Sequence, residues 1–190
     1  MEPVLIAGLG NPRPEYERTR HNLGFRVIDR LCGLLGCTLQ PGKGDFVYAS
    51  SRVSGSDVLL LKPLTFMNNS GIAVLDAVER FAVPLSRLLV VLDDAALPLG
   101  AIRIRPGGSD GGHHGLSSVI YHLRDDQFAR LRCGIGKEGG LPGQSLAEYV
   151  LSSFDHEEED AVAAMIATAA EAATEFAAAG VEQAMNKFNS

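Results

Sequence analysis

Residues 8–25 read GLGNPRPEYERTRHNLGF, and how this stretch is understood decides the fold. The apolar run Val4 to Ala7 feeds it. Gly8, Gly10, Pro12 and Pro14 then turn it into a corner, and helical patterning resumes at Asn22. A strand that empties into a tight loop ahead of a helix opens an α/β unit, and ligands collect at the carboxyl ends of such strands. This loop carries Asn11, whose amide can donate and accept, and His21, whose imidazole moves a proton near neutral pH.

Working outward, Leu23, Val27, Leu31, Leu34 and Leu35 mark an amphipathic helix that stops near Gly36. A loop at 38–45 precedes strands Phe46–Val53 and Val58–Lys62, joined by Ser54-Gly55-Ser56 as an antiparallel pair, so the sheet is expected to be mixed. Next come a helix from Gly71 to Phe81 and a wholly apolar strand, Leu88–Leu92, that ends in Asp93-Asp94. The alternating segment Ala101–Arg105 leads into a glycine-rich loop, 107–115, then a helix Leu116–Leu123 and a strand Leu131–Ile135. After a loop at 137–144, helices are expected over Ser145–Leu151 and His156–Ala178. Asp155 and Glu158 stand at capping-box spacing and Gly180 closes the second helix. The expectation is one α/β domain over 1–190, with the acidic helical segment 155–190 part of it.

A chain of 190 residues suits one domain and can bury a core without disulfides or metals. No apolar run approaches the ~20 residues of a membrane span, and MEPVLIAGLG enters a strand at once, unlike a signal peptide. Cys32, Cys37 and Cys133 form an odd set without CxxC spacing, read as reduced thiols of a cytoplasmic protein. The net charge of -6 argues at first against a nucleic-acid partner. Of the 23 acidic and 17 basic residues, however, nine and one lie in 145–190, leaving 14 and 16 before it. The body is mildly basic, and local fields decide whether phosphate can dock.

Several chemistries fail on spacing. The dinucleotide pattern GxGxxG would need a third glycine where Arg13 stands, and no clear acidic strand end follows about twenty residues on. There is no GxSxG elbow for a serine hydrolase. Cys133 alternates within an apolar strand and reads as a small buried hydrophobe. His113-His114, without a second cluster, reads as loop packing or hydrogen bonding rather than metal. What remains is His21 at a loop–helix junction, Asp93-Asp94 at the end of a buried strand, and Asn68 at the end of another. If these ends share one rim, an aspartate can hold the imidazole in one tautomer and make it a general base toward water. Arg103 and Arg105 alternate with one another, as do Arg130 and Arg132. Four guanidinium groups on neighbouring strands would make a phosphate-sized site, or simply charge an edge strand against aggregation.

GLGNP with Tyr16 and TRHNLGF, KPLTFMNNSG, Asp93-Asp94 with LPLG, GGSDGGHHGL, RLRCGIG and MNKFN follow one another along the chain. In this order they resemble the bacterial-type peptidyl-tRNA hydrolases, which cut the ester between a peptide and the 3′ ribose of tRNA. The resemblance implies a mixed, twisted sheet flanked by helices, usually in a monomer, with no cofactor and no metal. It implies His21 as the base activating water, Asp93 as its support, and Asn11 and Asn68 as contacts for the substrate end or the oxyanion. Tyr16, Met67 and His114 fall among the substrate-binding positions, and Arg103, Arg105 and Arg132 where tRNA phosphate is gripped, so the implied partner is peptidyl-tRNA through its acceptor stem and 3′ CCA end. Two positions depart from the family pattern. His114 stands where asparagine is usual, and Ala96 where an acid is frequent, a change read as a loss of local loop structure. The rivals are a non-catalytic RNA-binding module, a nucleotide-dependent oxidoreductase, and a scaffold acting through its acidic tail.

Overall fold

The structure, a computed structural model, describes every residue except 1, 138, 141, 142 and 190. Its strands are β1 (Val4–Gly8), β2 (Gln40–Pro41), β3 (Phe46–Val53), β4 (Ser56–Pro63), β5 (Leu88–Pro98), β6 (Ile102–Arg105) and β7 (Ala129–Gly136). All seven form one sheet in the order β2-β3-β4-β1-β5-β7-β6. The four central strands run parallel, and β2, β3 and β6 join antiparallel at the two margins. This is the mixed α/β sheet expected.

Strand alternation sends successive side chains to opposite faces. Val4, Ile6, Val91 and Leu131 pack under α1 (Leu23–Leu35), α5 (Glu159–Ala179) and α6 (Val181–Phe188). Leu5, Ala7, Val90 and Leu92 pack under α2 (Ser70–Arg80) and α3 (His114–Leu123). Because β1, β4, β5 and β7 run the same way, their carboxyl ends share one rim, and Asn11, Asn68 and Asp93 follow or lie on those ends.

Four details differ from the sequence expectation. The 38–45 loop contains β2, which pairs with β3. β5 runs past Leu92 to Pro98, with its register to β7 shifting between Asp94 and Pro98. Asp94 Oδ1 accepts the Ala96 N–H at 2.8 Å, so the local structure expected to be lost at Ala96 is present. Gly180, at φ +86, ends α5 as read, but α6 follows immediately. In the expected 137–144 loop, residues 138, 141 and 142 lie outside the described set.

The helical run His156–Ala179 is long and apolar enough to cross a bilayer by length and composition. Its apolar stripe, including Val162, Met165, Ala169, Ala173 and Phe176, is buried on the sheet, and it reads as a core helix. Two of the acids at its start face the body. Glu158 pairs with Arg20 at 2.8 Å and Glu159 with Arg26 at 3.3 Å. A tail separable from the body, as the scaffold reading needs, does not fit this packing.

Candidate active site

The glycines of the opening corner serve packing. A Cβ on Gly8 would lie 2.2 Å from the Gly24 carbonyl oxygen, and one on Gly10 2.7 Å from the Phe25 ring. They let β1 and its loop press against the start of α1, which gives the glycines of the incomplete dinucleotide pattern a packing role. The loop is then locked by asparagines. Asn11 N–H donates to Asn22 Oδ1 and Asn22 Nδ2 donates back to the Asn11 carbonyl, both at 2.9 Å. Asn11 Oδ1 accepts the Met67 N–H at 2.8 Å. With its oxygen committed, the Asn11 amide presents Nδ2–H as its remaining hydrogen-bonding group.

His21 sits on the short 3-10 turn Arg20–Asn22. Its Nδ1 lies 2.8 and 3.0 Å from the two carboxylate oxygens of Asp93. Nδ1–H therefore donates to the carboxylate, and Nε2 is left as the basic nitrogen. Asp93 closes the buried stretch of β5 and is 3% exposed. Its carboxylate is shared, because His113 Nε2 approaches Oδ1 at 3.0 Å. His113 is the N-cap of α3, and its Nδ1 accepts the Leu116 N–H at 3.1 Å. In the uncharged ring Nε2 must then carry the proton, so it too donates to Asp93. Burial pushes the Asp93 carboxyl up. The charge and hydrogen bond of His113, followed by those of His21, outweigh burial and hold it well below the usual carboxylate range.

His21, Asp93 and His113 present donor atoms within 4.8 Å of one another, a composition that metals accept. The N-cap bond opposes this use, since a metal on His113 Nε2 needs the lone pair that the Leu116 contact replaces with a proton. For His113 the sequence reading gave loop packing or hydrogen bonding; the hydrogen bonding is present, but its reach to Asp93 is what that reading missed. Its signal was its place three residues ahead of Leu116, an N-cap position, had the helix start been set two residues earlier.

The other expected residues divide by exposure. Met67 is buried, with its Sδ where a Cβ on Gly115 would fall. Its N–H reaches the site by holding the Asn11 amide oxygen. Before it, Phe66 adopts φ +62 and ψ 160, a conformation that costs a non-glycine residue roughly 1–3 kcal/mol, and the Arg13 guanidinium lies 5.1 Å from its ring centroid. Asn68 and His114 are exposed and line one cleft of about 500 Å3 together with Asp110 and Tyr121. A second cleft, about 720 Å3, is bordered by Asn11, Pro12, Phe25 and Lys62. Neither lining includes His21 or Asp93, but each has one of the site's asparagines at its edge. Tyr16 lies on the turn Pro14–Tyr16, and no hydrogen bond or ring contact joins it to His21 or Asp93 among the described residues.

The four arginines do not form one site. Arg130 is 2% exposed and donates to the carbonyls of Gly108, Ser109, Asp126 and Phe128. It secures the glycine loop and has no donor left for phosphate at the surface. Arg132 pairs with Asp94 at 2.5 Å. Arg103 is half-buried and Arg105 exposed.

Comparison with known proteins agrees with this geometry. The family described as Peptidyl-tRNA hydrolase matches residues 5–190. The peptidyl-tRNA hydrolase of Chlorobaculum parvum is 44% identical over 185 residues, covering 97% of each chain. That of Caldanaerobacter subterraneus is 46% identical over 186 residues, covering 97% of this chain and 98% of its own. The crystal structure of peptidyl-tRNA hydrolase from Acinetobacter baumannii superposes with a TM-score of 0.91 at 34% identity, over 100% of this chain and 95% of that one. This whole-length likeness makes the chain, with its carboxylate-bound imidazole, a member of the peptidyl-tRNA hydrolase family, and so a hydrolase.

Proposed function

We propose that the chain hydrolyses the ester joining a peptide, or an N-blocked aminoacyl group, to the 3′ ribose of tRNA, with His21 as the base. The observation that carries this reading is the pairing of His21 Nδ1 with Asp93, which leaves Nε2 basic and the ring fixed. Nε2 takes a proton from water as the water oxygen attacks the ester carbonyl. The oxyanion that forms is met by a neutral donor, Asn11 Nδ2–H, already oriented through Met67. Collapse breaks the bond to the ribose oxygen, which recovers the proton from the imidazolium. The ionised Asp93 beside His21 favours that imidazolium while it lasts. No covalent intermediate and no cofactor enters these steps. Asn68 and His114 border the space beside the scissile bond, and Arg103, Arg105 and Arg132 meet phosphate of the acceptor stem.

The test is the release of tRNA from N-acetylaminoacyl-tRNA. His21→Ala is expected to lower kcat by about 10²–10⁴-fold, the usual contribution of a positioned base. Near-normal turnover in that variant would overturn the mechanism.

A further inference from the structure

β6 is a four-residue edge strand whose charges oppose its own pairing. In register with β7, Arg103 faces Arg132 and Arg105 faces Arg130, and like charges directly opposite one another destabilise a ladder. Arg132 is offset by Asp94, and Arg130 by the carbonyls it donates to. Arg103 and Arg105 make no ion pair among the described residues.

The outer side of the strand is closed by a single side chain. Asn189, the C-cap of α6, accepts the Ile104 N–H through Oδ1 at 2.7 Å and donates Nδ2–H to the Ile104 carbonyl at 2.9 Å. One amide thus supplies both bonds that a further strand would bring. Asn189 is itself held, its N–H bonding the Met185 carbonyl at 3.0 Å. Val181, Ala184, Met185 and Phe188 of α6 pack into the same core as Ile104. Because Ile104 points into that core, Arg103 and Arg105 on either side of it point to the other face of the sheet, the α3 face, where Arg105 lies beside Arg130.

We propose that Asn189 is a positioning residue for the RNA substrate. By holding the backbone of Ile104 from outside, it keeps Arg103 and Arg105 at the fixed spacing of alternate strand residues, about 6.8 Å, so that both meet phosphate without first ordering the strand. This rests on the reading of those arginines as phosphate contacts, and it gives the MNKFN segment a role in grip rather than in chemistry.

Asn189→Ala and Arg105→Ala, made separately and together in the full chain, test both. Arg105→Ala should weaken binding of deacylated tRNA and reduce the salt slope by about 1. Asn189→Ala should raise KM for N-acetylaminoacyl-tRNA by about three- to ten-fold with kcat unchanged. It should also flatten the salt slope and speed amide hydrogen exchange at Arg103 and Arg105. The double variant should be weaker than Arg105→Ala only by the share that passes through Arg103, so its loss should be less than the sum of the two single losses. Asn189→Asp, which accepts but cannot donate, should fall between wild type and Asn189→Ala. A flat response of Asn189→Ala beside a clear loss in Arg105→Ala overturns the clamp alone. A flat response of both overturns the phosphate reading, and the clamp's part in RNA binding with it. A loss confined to kcat or to thermal stability makes Asn189 a fold residue only, and also overturns the proposal.

Discussion

Arg20 and Arg130, each 2% exposed, are held by different means. Arg20 lies against the faces of Tyr149 and Phe154, 4.4 and 4.6 Å from their ring centroids, and its Nη2 donates to Glu158 at 2.8 Å. Its charge is neutralised by a carboxylate. Arg130 has four backbone carbonyls as acceptors and makes no ion pair among the described residues. Burial pulls it down from the ordinary arginine value, and Asp126 nearby only partly restores it. Each stands beside a working residue. Arg20 directly precedes His21, while two of the carbonyls that Arg130 holds, Gly108 and Ser109, belong to the loop that leads to His113. The difference teaches that a buried guanidinium can be one half of an exchangeable charge pair or a hub whose shape has no substitute.

Breaking the charge pair should give the largest effect. Arg20→Met leaves Glu158 without its ion-pair partner and should cost about 3–5 kcal/mol in urea denaturation. Arg20→Met/Glu158→Leu removes both charges and should return to within about 1–2 kcal/mol of wild type. Part of that residue is the lost cap on Asp155 N–H, which Glu158 Oε2 now accepts at 2.8 Å and which is worth about 1 kcal/mol. A double variant as unstable as the single one would mean that the aromatic faces, not the carboxylate, hold Arg20, and the contrast with Arg130 would collapse.

Arg130 admits no such repair. Arg130→Met should cost about 1–3 kcal/mol through its orphaned carbonyls. Arg130→Lys should recover only part, because one ammonium cannot reach Gly108 and Ser109 together with Asp126 and Phe128. The loop effect should also reach the chemistry. His113→Asn keeps an N-cap while losing the bond to Asp93, and is expected to lower kcat by roughly 10–100-fold, as for a hydrogen bond to a charged group. Arg130→Lys should lower kcat in the same direction, and the pair should be non-additive. Additive losses would separate the loop from His113.

How much of this the sequence disclosed follows the same division. Asp93 and Asn68 were legible as candidates because strands that run parallel bring their carboxyl ends to one rim, and His21 because it stands in the loop that leaves the first strand. Arg130 was not, because strand alternation assigns a side chain to a face but is silent on what covers that face. The glycine loop over Arg130 is a tertiary fact. Asn189 was hidden for the same reason, its partner Ile104 lying eighty-five residues away. His113 was obscured by its neighbour, since two adjacent histidines carry no spacing, and it is the bonds to Leu116 and Asp93 that distinguish them. Gly8 and Gly10 drew a nucleotide reading because a close strand–helix crossing and a phosphate cradle both require a missing Cβ.

The smallest expected effect, and the one that isolates the carboxylate, is on acid stability. Burial pushes the Glu158 carboxyl up, but the hydrogen bonds from Arg20 and from the Asp155 backbone outweigh it and leave the group below its ordinary value. A carboxyl depressed in the folded state contributes stability that is complete above its unfolded value, about 4.3, and is lost as the pH falls through the folded value. Arg130 has no carboxyl partner in its hydrogen-bond set, so Arg130→Met should follow the wild-type acid curve in parallel, displaced by a constant. Arg20→Met/Glu158→Leu should fall less steeply below about pH 4.3. All three keep the acid limb of Asp93, whose carboxyl is also held low, so the difference between the curves belongs to Glu158. Parallel curves for all three proteins would show that the Glu158 carboxylate adds nothing to the hold on Arg20, and that the two buried arginines are held alike.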